Sequence, residues 1–157
     1  MPILDPNRTL RTLRKTPALL AFVLRGLSAE RARACKDPDG DAGWSAQFVV
    51  CHLNDYEDVF ALRVALVLTQ VSPKLPGLDN EALIAERDYA HTNFADELAS
   101  VLHKRQQLMT RLESLSSEQF LRVDVHPEFG EGTLLHILAN AAMHDVDHLE
   151  QLARMLR

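Results

Sequence analysis

Residues 133–155 read TLLHILANAAMHDVDHLEQLARM, and the spacing of apolar residues in this stretch decides the fold class. At 100° per residue, Ile137, Ala141, His144, His148, Leu152 and Met155 share one narrow stripe, the pattern of a helix with an inward apolar face. Two imidazoles interrupt that face. Buried imidazoles need partners, and helical residues four apart can reach a common ion. A His-x-x-x-His spacing alone is often a surface or core pair; its place on the apolar stripe gives it weight.

Residues 44–70, WSAQFVVCHLNDYEDVFALRVALVLTQ, set a third histidine in the same surroundings. The expected inner stripe is Phe48, Val49, His52, Tyr56, Val59, Phe60 and Leu66. His52 comes early in this helix and His148 near the end of the last one, so antiparallel packing brings them to one level. A three-histidine site of His52, His144 and His148 leaves at least one coordination position open, as catalytic zinc sites do. The competing reading is three core histidines satisfied by carbonyls or by Asp145.

Outward from these two helices the chain stays helical. Thr16 and Pro17 read as an N-cap and first helical position, opening a first main helix that runs to about Leu27, with a short helix over 6–15 before it. Residues 36–43, from Lys36 to Gly43, are turn chemistry. A third helix over 92–115 carries the stripe Phe94, Leu98, Val101, Arg105, Leu108, Leu112 and Leu115. Residues 71–91 form a crossover with a short helical turn, and Pro127 with Gly130 to Gly132 makes the last loop. The expected architecture is one all-α domain over residues 1–157, a four-helix bundle whose long crossover sets helices two and three parallel.

The chain has 157 residues, 46% hydrophobic, with only 6 Gly and 7 Pro, little material for a turn-rich β fold. A formal net charge of -5 argues against nucleic acid, which requires a concentrated basic surface. Arg8, Arg11, Arg14 and Lys15, the one basic cluster, read as a solvated helix face. No apolar run approaches the ~20 residues of a membrane span, and the start lacks a signal-peptide pattern. Cys35 and Cys51 form no CxxC pair and suit reduced thiols in the cytoplasm.

The remaining histidines belong outside the site. His136 precedes His144 by two helical turns, about 12 Å along the axis; His91, His103 and His126 fall in a loop, on an outer face and before Pro127. Cys51 points about 100° away from His52. Arg105 on an apolar stripe calls for a buried carboxylate, expected at the level of residues 55–57. Asp55, Glu57 and Asp145 are the candidates for a general base or for orienting a ligand imidazole.

The chain resembles the DinB-like superfamily of metal-binding four-helix bundles along nearly its whole length. The resemblance rests on Thr16-Pro17, Gly43-Trp44-Ser45, His52-Leu53-x-Asp55-x-Glu57, Gly132-Thr133-Leu134 and His144-Asp145-x-x-His148-Leu149-x-Gln151. It implies up-down-down-up connectivity, a homodimer, and one divalent metal on the histidines matching His52, His144 and His148. It further implies zinc or nickel, with iron or manganese as alternatives, and hydrolase or thiol transferase chemistry on a small-molecule substrate, a low-molecular-weight thiol among them. The opposing expectation is a non-catalytic metal-binding or structural bundle.

Overall fold

A 24-residue helix with no glycine or proline inside it organises the molecule. In the computed structural model, which describes residues 4–38 and 43–157, α1 spans Pro6–Leu13, α2 Thr16–Val23, α3 Ala29–Ala34, α4 Ala46–Thr69, α5 Asn80–Arg87, α6 Phe94–Glu113 and α7 Leu134–Met155. Strands β1, Val123–His126, and β2, Gly130–Thr133, form an antiparallel hairpin before α7. The central helix α4 starts where the Ser45 hydroxyl accepts from the Phe48 amide, α6 where Asn93 accepts from Ala95 and Asp96, and α7 at a capping box between Thr133 and His136. Each cap satisfies amides that the first turn cannot bond internally.

Helices α6 and α7 both pack on α4. Along α4 and α6, Gln47 bonds Thr92, Asn54 bonds Glu97 and Lys104 bonds Asp58; the partners rise together, as for helices running in the same direction. Two apolar clusters fill the interior. One joins Phe60, Val64 and Val67 to Leu108, Leu112, Leu134 and Leu138; the other joins Val49, Val50 and Leu53 to Leu20, Val101, Leu149 and Leu152. Complete burial of each such side chain contributes about 1.5–3 kcal/mol. Between the clusters lies a polar layer contributed by residues 52–57 of α4, Arg105 of α6 and residues 144–148 of α7, and this layer contains the candidate site.

Several expectations change. The helix expected over 16–27 ends at Val23, followed by Gly26 at φ 71, and α3 then forms from residues not foreseen as helical. Thr16 is not the cap: Lys15 occupies that position without a side-chain bond, and the Thr16 hydroxyl instead donates to Asp145 Oδ2 at 2.6 Å. Buried tertiary bonding overrides the local capping preference. Helix α4 has no single inner stripe, since residues 49–55 are all buried; α3, α6, α7 and the segment after α5 enclose it. The loop before α7 is a hairpin in part, whose alternating Val123-Asp124-Val125 is strand chemistry. Its middle pins the crossover, with Leu75 N bonded to Val125 O and Val125 N to Pro73 O, both at 2.9 Å. Of the turn expected over 36–43, Asp39 to Ala42 lie outside the described residues, as do Met1 to Ile3.

Candidate metal centre

His52 lies on the second turn of α4 and is 4% exposed; His144 and His148, one turn apart on α7, are half-buried. One ligand nitrogen from each comes within 4.8 Å of the others, and the two Nε2 atoms of His52 and His144 stand 3.0 Å apart. Tetrahedral coordination at zinc–nitrogen distances of ~2.0–2.1 Å needs ligand nitrogens about 3.4 Å from one another. The three rings are therefore compact enough to share an ion after small side-chain adjustments.

Their protonation suits a cation. Burial, aided by the charge His148 would carry, lowers His52 to about 3. Burial, followed by the charges of His148, His52 and Arg105, lowers His144 to about 2. Burial also lowers His148, against the opposing bond to Gln151. All three rings are neutral near pH 7, as metal ligands must be.

A chain of polar contacts fixes His148. Its Nδ1 lies 2.9 Å from Gln151 Oε1; a carboxamide oxygen only accepts, so Nδ1 carries the hydrogen and Nε2 keeps a free lone pair. Gln151 Nε2 donates to Asp37 Oδ2 at 2.9 Å, and Arg154 holds Asp37 in an ion pair. Aromatic rings form the walls: Trp44 stacks on His148, centroids 6.2 Å apart, and Tyr56 on His144 at 4.2 Å. Tyr56 lies one turn after His52, on nearly the same helical face, whereas Trp44 precedes the Ser45 cap and reaches the site from outside the helix. The wheel assigned Tyr56 to that face; the structure adds Trp44 and Asp37 as neighbours of the site.

Beside the histidines, Arg105 is 1% exposed and uses all five of its N–H donors. Nε and Nη2 donate to Glu57, at 3.1 and 2.5 Å. The two Nη atoms donate to Asp145, at 2.6 and 3.0 Å, and Nη1 also to the Leu13 carbonyl at 3.2 Å. Burial opposes the charge, yet the bonds and charges of Asp145 and Glu57 hold the guanidinium above its usual value. Burial pushes Glu57 up, with Arg105 opposing. Two carboxylates thus share a single guanidinium beside the imidazoles.

The structure thus brings His52, His144 and His148 together and engages all three carboxylate candidates elsewhere. Glu57 and Asp145 are clamped by Arg105. Asp55 accepts from Tyr89 and Arg87, and Cys51, one turn before it, faces Thr92; burial pushes the Cys51 thiol up to about 11. The other histidines stand apart: exposed His91 contacts Asp88, His103 is exposed on α6, His126 belongs to β1, and His136 caps α7.

With this geometry described, comparison with known proteins gives concordant matches. The model of the DinB superfamily matches residues 12–152. YfiT of Bacillus subtilis (strain 168) is 24% identical over 152 residues, covering 96% of this chain and 84% of that protein. The solved structure of YfiT, described as a probable metal-dependent hydrolase with an unusual four-helix bundle topology, superposes with a TM-score of 0.84 at 23% identity, over 96% of this chain and 85% of that one. The four-helix bundle fold is shared.

Proposed function

Because this chain belongs to the DinB superfamily, we propose that it is a metal-dependent enzyme whose single divalent ion is held by His52, His144 and His148. The carrying observation is the convergence of three neutral imidazoles within 4.8 Å. Imidazole donors suit zinc or nickel, with iron as an alternative; manganese, which prefers oxygen donors, is the weaker fit. Bound there, the ion would act as a Lewis acid that makes a nucleophile from water or a small thiol near neutral pH. Hydrolysis and thiol S-transfer are the two reaction classes this supports.

The chain's own residues define the rest. His144 and His148 keep one side of the cluster accessible to a small-molecule substrate, while Trp44 and Tyr56 exclude water from its flanks. Gln151 fixes the tautomer of His148. Arg105, Glu57 and Asp145 act as positioning residues that hold α4, α6 and α7 at the spacing the three imidazoles need. The free cysteines support a cytoplasmic site of action, and no described helix is long and apolar enough to cross a membrane. Exposed Leu19 and Phe22 on α2, with Met143 and Val146 on α7, support a homodimer.

One observation favours a second reading, a non-catalytic metal-binding bundle: none of the three candidate carboxylates is left unengaged to act as a base. Assaying zinc- and nickel-loaded protein against ester, amide and thiol-plus-electrophile panels separates the two. Turnover that is lost on chelation and in His148→Ala supports the enzyme. Rates equal to those of His148→Ala across the panels support the non-catalytic reading.

A further inference from the structure

A second group of buried polar atoms, outside the histidine centre, has no hydrogen-bond partner among the described residues. Between the hairpin, the later turns of α4 and the start of α7 lies a cavity of about 150 Å³ lined by Arg63, Asp124, His126, Phe129, Ile137 and Asn140. That is room for about five waters, well below the volume of a drug-sized pocket. Three buried atoms of its lining residues lack a hydrogen-bond partner among the described residues: Arg63 Nε, Asp124 Oδ2 and His126 Nε2.

Each has a definite chemical requirement. Arg63 is 5% exposed, makes no ion pair among the described residues, and reaches only the Pro76 carbonyl, at 3.4 Å. Asp124 and Glu128 act on its charge from a distance, and an enclosed guanidinium whose Nε lacks an acceptor is costly unless something supplies one. His126 Nδ1 accepts from the Glu128 amide at 3.2 Å, so in the neutral ring the hydrogen is on Nε2 and that atom is an orphan donor. Asp124, 1% exposed, presents the orphan acceptor. Glu131 also lines the cavity. A bare anion would meet two carboxylates, and a bare amine would leave the guanidinium unmatched.

We propose that this cavity binds a small 2-hydroxy or 2-amino carboxylate. Its carboxylate lies against Arg63 Nε and His126 Nε2, and the hydroxyl or ammonium on the adjacent carbon donates to Asp124 Oδ2. The site does not depend on a metal. Asn140, on its wall, precedes His144 by one helical turn, about 6 Å, so a ligand here would be a near neighbour of the histidine centre without being a ligand of it.

Isothermal titration calorimetry of chelator-treated protein with L-lactate, L-alanine and acetate tests this site. Lactate or alanine should bind one per chain, and which of them does so distinguishes the hydroxy from the amino acid. Acetate, lacking the donor for Asp124, should bind at least ~10-fold more weakly. Arg63→Lys and His126→Phe, checked for unchanged circular dichroism, should each weaken binding at least ~10-fold. The two residues lie on different elements, so His126→Phe carries the test if Arg63→Lys fails to fold. No binding at millimolar concentration, equal affinity for acetate, or undiminished binding in the folded variants would overturn the assignment and leave the cavity to buried water.

Discussion

Arg105 and Asp145, on α6 and α7, meet through two hydrogen bonds of 2.6 and 3.0 Å in the interior, one residue along the chain from His144. The same guanidinium clasps Glu57, so a single side chain ties three helices beside the imidazole cluster. Truncation would strand two buried carboxylates. Arg105→Met should destabilise the fold by about 3–5 kcal/mol in urea denaturation, and Arg105→Lys, which lacks the planar fork, should recover only part of this. A loss under ~1 kcal/mol for Arg105→Met would show that the clamp is not structural.

The inward histidines and the Glu57 half of this clamp were legible from periodicity because α6 and α7 each bury one face; Asp145 was not foreseen as a partner of Arg105. Arg105 sits where its apolar stripe demands a carboxylate, and the level of its partner follows from the parallel offset of the helices. Helix α4 was less legible, because a helix enclosed on nearly all sides has no stripe to read, and Trp44, which precedes the Ser45 cap, lies where no wheel can place it. Thr16 was misassigned because capping propensity is local, whereas its partner Asp145 is distant in sequence. Asp37 could not be placed beside Gln151 from spacing, since a long loop and a helix end meet there only through tertiary packing.

Acid should weaken the metal-free fold. In the unfolded chain His52 and His144 titrate near 6.5; in the folded one burial lowers them to about 3 and about 2. Below 6.5 the unfolded state therefore binds protons that the folded state refuses. Their contribution to stability is complete above that value and is lost as pH falls towards the folded pKa values. The thermal midpoint of chelated protein should fall between about pH 7 and pH 4, and His52→Gln should flatten the slope. A midpoint that rises on acidification would refute the buried, neutral state of these rings.

Gln151 should act on the metal through His148 alone. Gln151→Ala frees the ring's tautomer and orientation, and an affinity loss of about 10–100-fold is expected. Competition with a chromophoric chelator gives the measurement. Unchanged affinity would mean that His148 is oriented without this bond.

His136 separates helix capping from ligation. Its Nδ1 accepts from the Thr133 amide at 3.1 Å, so His136→Ala should cost about 1 kcal/mol of stability with metal stoichiometry unchanged. Loss of metal in that variant would place the ion two turns from the centre proposed here.

The metal content of purified protein, measured by inductively coupled plasma mass spectrometry, tests the central claim most directly when wild type is compared with His52→Ala, His144→Ala and His148→Ala. The account expects close to one divalent ion per chain in the wild type and a small fraction of that in each variant, with α-helical circular dichroism retained. Full occupancy in all three variants, or none in wild-type protein offered zinc and nickel, would contradict it.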